Sequence, residues 1–589
     1  VTQLEGREEL QALEMFWDDV SIPMQDVWNP IPPTAPDPKQ FALGERGLSP
    51  AARVNALNTL AAYLDHKRDH MLGYQVTEDM NGYQEDLARF LKHHLNNLGD
   101  PFQIGGYKVN TKVVEQAVLN YFAKLWHGEP YNHDNKESCW GYVLSMGSTE
   151  GNMYALWNAR DYLAGRLLIT DDEKPGTHTY DQPVPDPRNP NAYKPIVFYS
   201  EDTHYSFAKA VRVLDLRTFG QYGREHEGEY TNPLGGSWTD EVPSESGPDN
   251  KPSTYGSGRI DIGKLKVLVD YFAGKGHPII VSLNFGSTFK GALDDVQKVC
   301  DTLLPVFVKH KLHEREVTYT GGAKHKRRGF WIHVDGALGA GYVPFLHMAA
   351  DEHKYAFKPD SEIPKFDFGV TSKSGNVTKD MVSSIAVSGH KWMGAPFPTG
   401  VFMTKVKYQM QPPDKAEYIG SLDTTFAGSR NGFSPIVLWD HLAKHPHDRQ
   451  VSLITHAYRM AGYLEQQLAR LEEYWIKKHK KEKGFLQVAR SPLAITVRFR
   501  KPNARIVAKW SLSTVTMLMT PGKPETKAEI AHVFLMSSAT QDKIDAFIAD
   551  LHDPDAFNLK IKEPFVAPTQ TFDGITLEAV NPFGDRGFA

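Results

Sequence analysis

The sequence predicts an α/β fold, with a mainly parallel sheet in a large domain and a small C-terminal α+β domain. Two observations predict it. Short segments that are apolar throughout alternate with longer helical patterns, which is how strands buried on both faces read when helices cross between them. The chemically unusual polar residues then fall where those segments end, the edge at which open α/β sheets collect ligands. With 589 residues, the chain is too long for one simple core, so two or three domains are expected.

The N-terminal part, 1–110, reads as a helical segment. In "SPAARVNALNTLAAYLDHKRDHM" (49–71), Ser49 is placed as N-cap with Pro50 at the first helical position. In "YQEDLARFLKHHLNNLG" (83–99), Leu87, Phe90, Leu91 and Leu95 form an apolar stripe and Gly99 a stop. The large domain is assigned to 111–435. Its helix "TKVVEQAVLNYFAKLWH" (111–127) precedes the strands "WGYVLSM" (140–146), "PIVFYS" (195–200), "PIIVSLNF" (278–285), "GFWIHVDGA" (329–337) and "SSIAVSG" (383–389). Polar excursions at 171–194, 220–258, 312–328 and 351–380 interrupt it. The small domain, 436–555, opens on a long helix and continues through "PLAITVRFRKP" (492–502), "AHVFLMS" (531–537) and the helix "TQDKIDAFIADLH" (540–552); 556–589 reads as a tail.

Composition excludes several classes of function. A formal net charge of -5 gives no reason to expect nucleic acid or a membrane surface as partner. The basic run "KHKRRG" (325–330) is short enough to be a solvated loop. Cys139 and Cys300 cannot build a disulfide framework or a zinc cluster, and such usage suits the cytosol. No apolar run reaches membrane-spanning length, and the N-terminus is acidic and polar rather than signal-like. A soluble, cytoplasmic protein with no metal is expected.

The chemistry concentrates at strand ends. After the first strand comes "GSTEGN" (147–152), where backbone N–H groups and the Ser148 and Thr149 hydroxyls suit an anion at a helix start. An N-cap turn with Glu150 in the first turn is the plainer reading. His204 opens the helix after the second strand, as a ligand or as a packing residue. "GSTFKG" follows the third strand. Asp335 ends an otherwise apolar strand, where an unpaired carboxylate would be costly; a helix N-cap is the alternative. The last strand ends in "SGHK", with Lys391. Pyridoxal phosphate would use all of these. Lys391 offers the amine for its aldehyde, Asp335 the carboxylate for its ring nitrogen, Ser148 and Thr149 the anion site, and His204 a flat partner for the ring.

The blocks "WGYVLSMGSTEGNMYAL", "YSEDTHYSFAKAV", "NFGSTFKGALDDV", "HVDGALGAGYVPF", "VSGHKWMGAPFPTGV" and "GSRNGFSPIVLW" resemble the group II pyridoxal-phosphate-dependent amino-acid decarboxylases, in family order across roughly 70–550. The nearest resemblance is to the bacterial histidine decarboxylases, with methionine and valine decarboxylases as relatives. It implies the fold type I architecture of aspartate aminotransferase. It also implies that Lys391 carries the cofactor, with His390 and Ser388 near the phosphate, and that Asp335 pairs with the pyridinium above Ala337. His204 would stack on the other face, Ser148 and Thr149 bind phosphate, and Ser287 lie near the 3-oxygen. Ser429 would approach the phosphate from a neighbouring subunit, because family sites lie at a homodimer interface. Tyr418 is a candidate for the acid that reprotonates the α-carbon, beside a lysine or histidine; it reads equally as a packing tyrosine.

The implied activity is α-decarboxylation of an amino acid to CO2 and a primary amine. Where the histidine decarboxylases read Asn-Gly-His, this chain has Asn431-Gly432-Phe433. That favours an apolar substrate such as methionine, valine or leucine, with histidine as the alternative; Phe433 facing the core would remove the argument. A cysteine desulfurase would need a reactive Cys139 or Cys300, and an aminotransferase would need Arg498 or Arg500 at the cofactor. A non-catalytic pyridoxal-phosphate-binding homologue is the remaining alternative.

Overall fold

Strand residues point alternately to opposite faces, and here both faces are covered. β1 (Cys139–Leu144), β2 (Ile196–Phe198), β3 (Arg217–Thr218), β4 (Ile279–Asn284), β7 (Phe330–Asp335), β10 (Val382–Ser388) and β11 (Gly400–Lys405) form a seven-stranded sheet in the order β1-β11-β10-β7-β4-β2-β3. β11 runs antiparallel to both of its neighbours, and the pairings from β10 through β7, β4 and β2 to β3 are parallel. Every position of β1, β4, β7, β10 and β11 is buried, so no alternation shows in the sequence. The computed structural model describes residues 36–80, 82–166, 168, 183–319, 322–410, 417–518 and 527–558, with a short pairing of Thr571–Phe572 and Ile575–Thr576.

The two faces have separate cores. Ile279, Val281, Leu283, Phe330, Ile332 and Val334 pack with Val118, Leu268, Leu303 and Leu346 from helices Lys112–Leu125, Ile262–Gly274, Val296–Lys309 and Val343–Asp351. The intervening Ile280 and Trp331 join Leu156, Ala159, Phe207 and Ala210 from helices Ser148–Leu163 and Ser206–Val213. Each buried Val, Leu, Ile or Phe side chain among them contributes about 1.5–3 kcal/mol by leaving water. The parity of β7 therefore sends Trp331, His333 and Asp335 to the second face.

The third core is that of the small domain. Leu464, Leu468, Leu471 and Trp475 of the helix His447–His479 pack on Val497, Phe499 and Phe547. Its antiparallel sheet has the order β12-β14-β13, with β12 Thr496–Arg500, β13 Ser513–Leu518 and β14 Lys527–Phe534. β13 is a strand that the sequence pattern does not announce. At the other end of the chain, helix Pro50–Asp69 begins as expected, with Ser49 Oγ accepting from the Ala52 N–H at 3.2 Å and Pro50 inside the first turn.

Three expectations change. The stretch 83–99 is not one helix: it breaks into Tyr83–Asp86 and a 3-10 turn Ala88–Phe90, and Leu91 is exposed. Pairing with the 428–432 segment wins over local propensity, since Asn96 bridges Asn431 and the Asn97 N–H donates to Arg430 O at 3.0 Å. The excursions at 312–328 and 351–380 contain antiparallel hairpins, β5 (Arg315–Thr318) with β6 (Lys324–Arg327) and β8 (Thr371–Ser374) with β9 (Val377–Asp380). Their polar faces conceal them from a search for apolar runs. Much of 171–194 and of the tail lies outside the described residues. Among the described residues, no helix is long and apolar enough to cross a membrane, and no His/Cys/Asp/Glu group could hold a metal ion.

Candidate active site

Because the parallel strands share one direction, the turns that follow β1, β2, β4, β7 and β10 lie along one edge. They enclose a cavity of about 240 Å³ lined by Ser148, Thr149, His204, Ser287, Asp335, Ala337, Ser388, His390 and Lys391. These residues span positions 148 to 391, and the shared strand direction brings them together. Met146, Asn152, Tyr205, Asn284, Thr288 and Pro398 complete the wall.

The turn after β1 is built for close approach. Gly147 takes φ 66°, and a Cβ there would lie 2.6 Å from His390 Cε1, so the glycine is required twice over. Glu150 folds back to accept from the Ser145 and Met146 N–H groups at 2.8 and 2.9 Å. The Ser148 N–H donates to Ser388 Oγ at 3.1 Å, and the two hydroxyls lie 3.0 Å apart. The Ser148, Thr149 and Ser388 hydroxyls thereby gather at the start of helix Ser148–Leu163, with His390 beside them, a setting suited to an anion.

Charge at the centre rests on two buried groups. Burial pushes the Lys391 amine down to about 8, with Asp335 opposing the shift. Burial raises the Asp335 carboxyl, while Lys391, the Ala337 N–H and Asn152 oppose that. Asn152 Nδ2 donates to Asp335 Oδ2 at 2.9 Å and the Ala337 N–H to Oδ1 at 3.2 Å. Asp335 is therefore held by neighbours and is not a free helix cap.

His204 is neutral at pH 7, pushed down to about 4 by burial and then by the Lys391 and Lys209 charges. The Ser206 N–H donates to its Nδ1 at 3.3 Å, and Ser206 Oγ lies 2.8 Å from the same nitrogen. Nδ1 is thus the acceptor and Nε2 carries the hydrogen. His390 is lowered by burial and by Lys391, with Nδ1 3.2 Å from Thr399 O.

Two expected residues do not reach this cavity. Tyr418 sits in a 3-10 turn Glu417–Ile419 and is 82% exposed, because its neighbours Ile419 and Gly420 pack against the 105–106 backbone and turn it outward. Ser429 Oγ accepts from Asn96 Nδ2 at 3.1 Å and lines no part of the wall. Phe433 is half-buried beside Phe397 in a small apolar cluster with Ile436 and lines no part of the cavity wall, so it carries no argument about substrate. Asn152 was invisible as a site residue in the sequence. Its only signal was its spacing, one helical turn beyond Ser148 on the same face.

The alternative chemistries lose their residues. Cys139 and Cys300 are buried, and burial pushes the Cys139 thiol up to about 12 and Cys300 well above its ordinary range. Neither is a nucleophile. Arg498 donates to Gly256 O at 2.8 Å and Arg500 to Phe485 O, and neither lines the cavity.

No family model matches the chain. Among solved structures, L-methionine decarboxylase from Streptomyces sp.590 shares 54% sequence identity at a TM-score of 0.81, covering 88% of this chain and 98% of that one. A histidine decarboxylase of Solanum lycopersicum is 29% identical over 83% of this chain and 86% of its own length. Serine decarboxylase 2 of Oryza sativa subsp. japonica is 27% identical over 83% of this chain and 75% of its own.

Proposed function

Because the chain belongs to the group II pyridoxal-phosphate-dependent amino-acid decarboxylases, we propose that its substrate is methionine, converted to CO2 and the corresponding primary amine. The 54% identity to a methionine decarboxylase over 98% of that chain carries this reading. Histidine and serine are named for relatives below 30% identity.

The residues fit the cofactor. A buried amine and a buried carboxylate share one cavity, and the hydroxyls of Ser148, Thr149 and Ser388 meet His390 where only a glycine at 147 leaves room. Lys391 would hold the aldehyde carbon, Asp335 the ring nitrogen, and the Ser148–Thr149–Ser388–His390 group the phosphate. Ala337 and His204 would flank the ring, and Ser287 would face its 3-oxygen. When bound, pyridoxal phosphate supplies an electron-withdrawing ring that takes up the electron pair freed as CO2 leaves.

The chain contributes charge and protons. Asp335 would place a negative charge where a protonated ring nitrogen needs one. Lys391, with its amine near 8, can both release and return a proton at neutral pH. His204 holds a hydrogen on Nε2 inside the same cavity. Tyr418 can act only on a neighbouring subunit's cavity, because it turns away from its own.

A homodimer is part of the proposal. Met146 and Tyr205 line the cavity yet are 55% and 45% exposed. The Ser145 hydroxyl beside them accepts from the Asn431 N–H at 3.4 Å, which joins the cavity to the 417–432 segment. That segment carries exposed Tyr418 and packs by Ile419 on Gly106, two residues from Ile104, which is 87% exposed. A second copy covering this surface would also bring its Ser429 and Tyr418 toward the cavity. Light scattering on active enzyme should return a dimer; a monomer with full turnover would overturn this part.

A CO2-release screen of the protein with pyridoxal phosphate against the proteinogenic amino acids tests the substrate. Methionine should give the highest kcat/KM. Turnover of histidine or serine without methionine would overturn the substrate, and no CO2 from any of them would overturn the decarboxylase reading itself.

A further inference from the structure

On the cavity face of the sheet, five buried side chains form one hydrogen-bonded series: Trp331, Ser384, His333, Asn152 and Asp335. Trp331 Nε1 lies 3.0 Å from Ser384 Oγ, and Ser384 Oγ 2.9 Å from His333 Nδ1. His333 Nε2 lies 3.0 Å from Asn152 Oδ1, and Asn152 Nδ2 2.9 Å from Asp335 Oδ2.

The direction of every bond follows from its ends. An indole only donates and a carboxylate only accepts. Trp331 must therefore donate to Ser384, and at the other end Asn152 Nδ2 must donate to Asp335, which leaves Asn152 Oδ1 to accept from His333. A neutral His333 then carries its hydrogen on Nε2, and its bare Nδ1 accepts the Ser384 O–H. Each donor points toward the carboxylate.

We propose that His333, Asn152 and Ser384 are positioning residues that keep Asp335 ionised in its buried place by aligning these donors. This rests on the reading of Asp335 as the cofactor's ring partner. Without the His333 N–H, the Asn152 oxygen loses its donor, and the amide is held only through Nδ2, by Asp335 and, at 3.5 Å, by Ser206 Oγ. His333 suits the role because it is neutral: burial pushes it down to about 3, so it adds a dipole and no charge. The other groups that bear on Asp335 are Lys391, from the turn beyond β10, and the Ala337 N–H on its own segment. His204, ahead of helix Ser206–Val213, and His390 line the same cavity, and both are held below their ordinary range by burial and by Lys391.

A weaker donor series makes Asp335 easier to protonate, so its charge is lost at higher pH and cofactor binding weakens there. The apo chain and its variants are titrated with pyridoxal phosphate across mildly acidic to neutral pH, with thermal melting as the check on folding. In His333→Leu the pH below which affinity falls should move up by about one unit, about tenfold in affinity at the acid end. His333→Gln, which restores an N–H toward Asn152, should recover most of that, and Ser384→Ala should shift the same way by less. A wild-type profile in folded His333→Leu overturns the proposal, as do equal shifts in the Gln and Leu variants, which would report packing alone. If His333→Leu does not fold, Ser384→Ala decides, and an unmoved profile there overturns it. If the wild-type protein binds no pyridoxal phosphate, the cofactor assignment falls and this inference with it; normal wild-type binding with unmoved variants removes the inference alone.

Discussion

Lys391→Ala is expected to abolish CO2 release and to leave a protein whose visible cofactor absorbance is absent. The wild-type chain should show such absorbance, and borohydride should remove it. The amine is reactive only when neutral. At an ordinary lysine pKa, roughly a thousandth of it is neutral at pH 7.4, against about a fifth at a pKa near 8. The shift arises from burial, which penalises the charged form, and Asp335 limits it. Cofactor uptake by the apo chain should therefore accelerate with rising pH through about 8 and level off above it. Lys391→Arg, which keeps the charge but cannot lose it, should match the alanine variant. Residual turnover near the wild-type rate in either would remove Lys391 from its role.

Asp335→Ala should lower kcat/KM by at least about a hundredfold, the scale of removing a preorganised electrostatic partner from an active site. Two contacts hold the carboxylate, the Asn152 amide and the Ala337 N–H, and Lys391 adds opposite charge. If charge is what matters, Asp335→Asn should fall nearly as far despite its equal shape. Steady-state rates on methionine measure both, and near-normal turnover in Asp335→Ala would take the residue out of the ring-nitrogen role.

The central sheet was legible because its strands are buried on both faces. Segments such as "PIIVSLNF" and "GFWIHVDGA" need no partner to be recognised as strands. The cavity was legible for a related reason. Parallel strands share an edge, so residues at successive strand ends, from Ser148 to Lys391, had to converge. The 83–99 stretch was misread because a local apolar stripe carries no information about the 428–432 segment that pairs with it. The hairpins β5–β6 and β8–β9 were hidden by polar faces, and β13 by the lack of a distinguishing pattern.

By itself the sequence determined the α/β class, the strand-end placement of Lys391, Asp335, His204 and Ser148, and the resemblance that these residues carry. Those follow from local composition and from the rule that parallel strands end together. Tertiary structure decided where side chains without a local signature point. It packed Phe433 beside Phe397 and away from the cavity wall, turned Tyr418 outward, buried both cysteines, and set Asn152 between His333 and Asp335. Contacts between residues 181 positions apart, such as Asn152 with His333, depend on the register of β7 against the helix above it, which no stretch of sequence specifies alone.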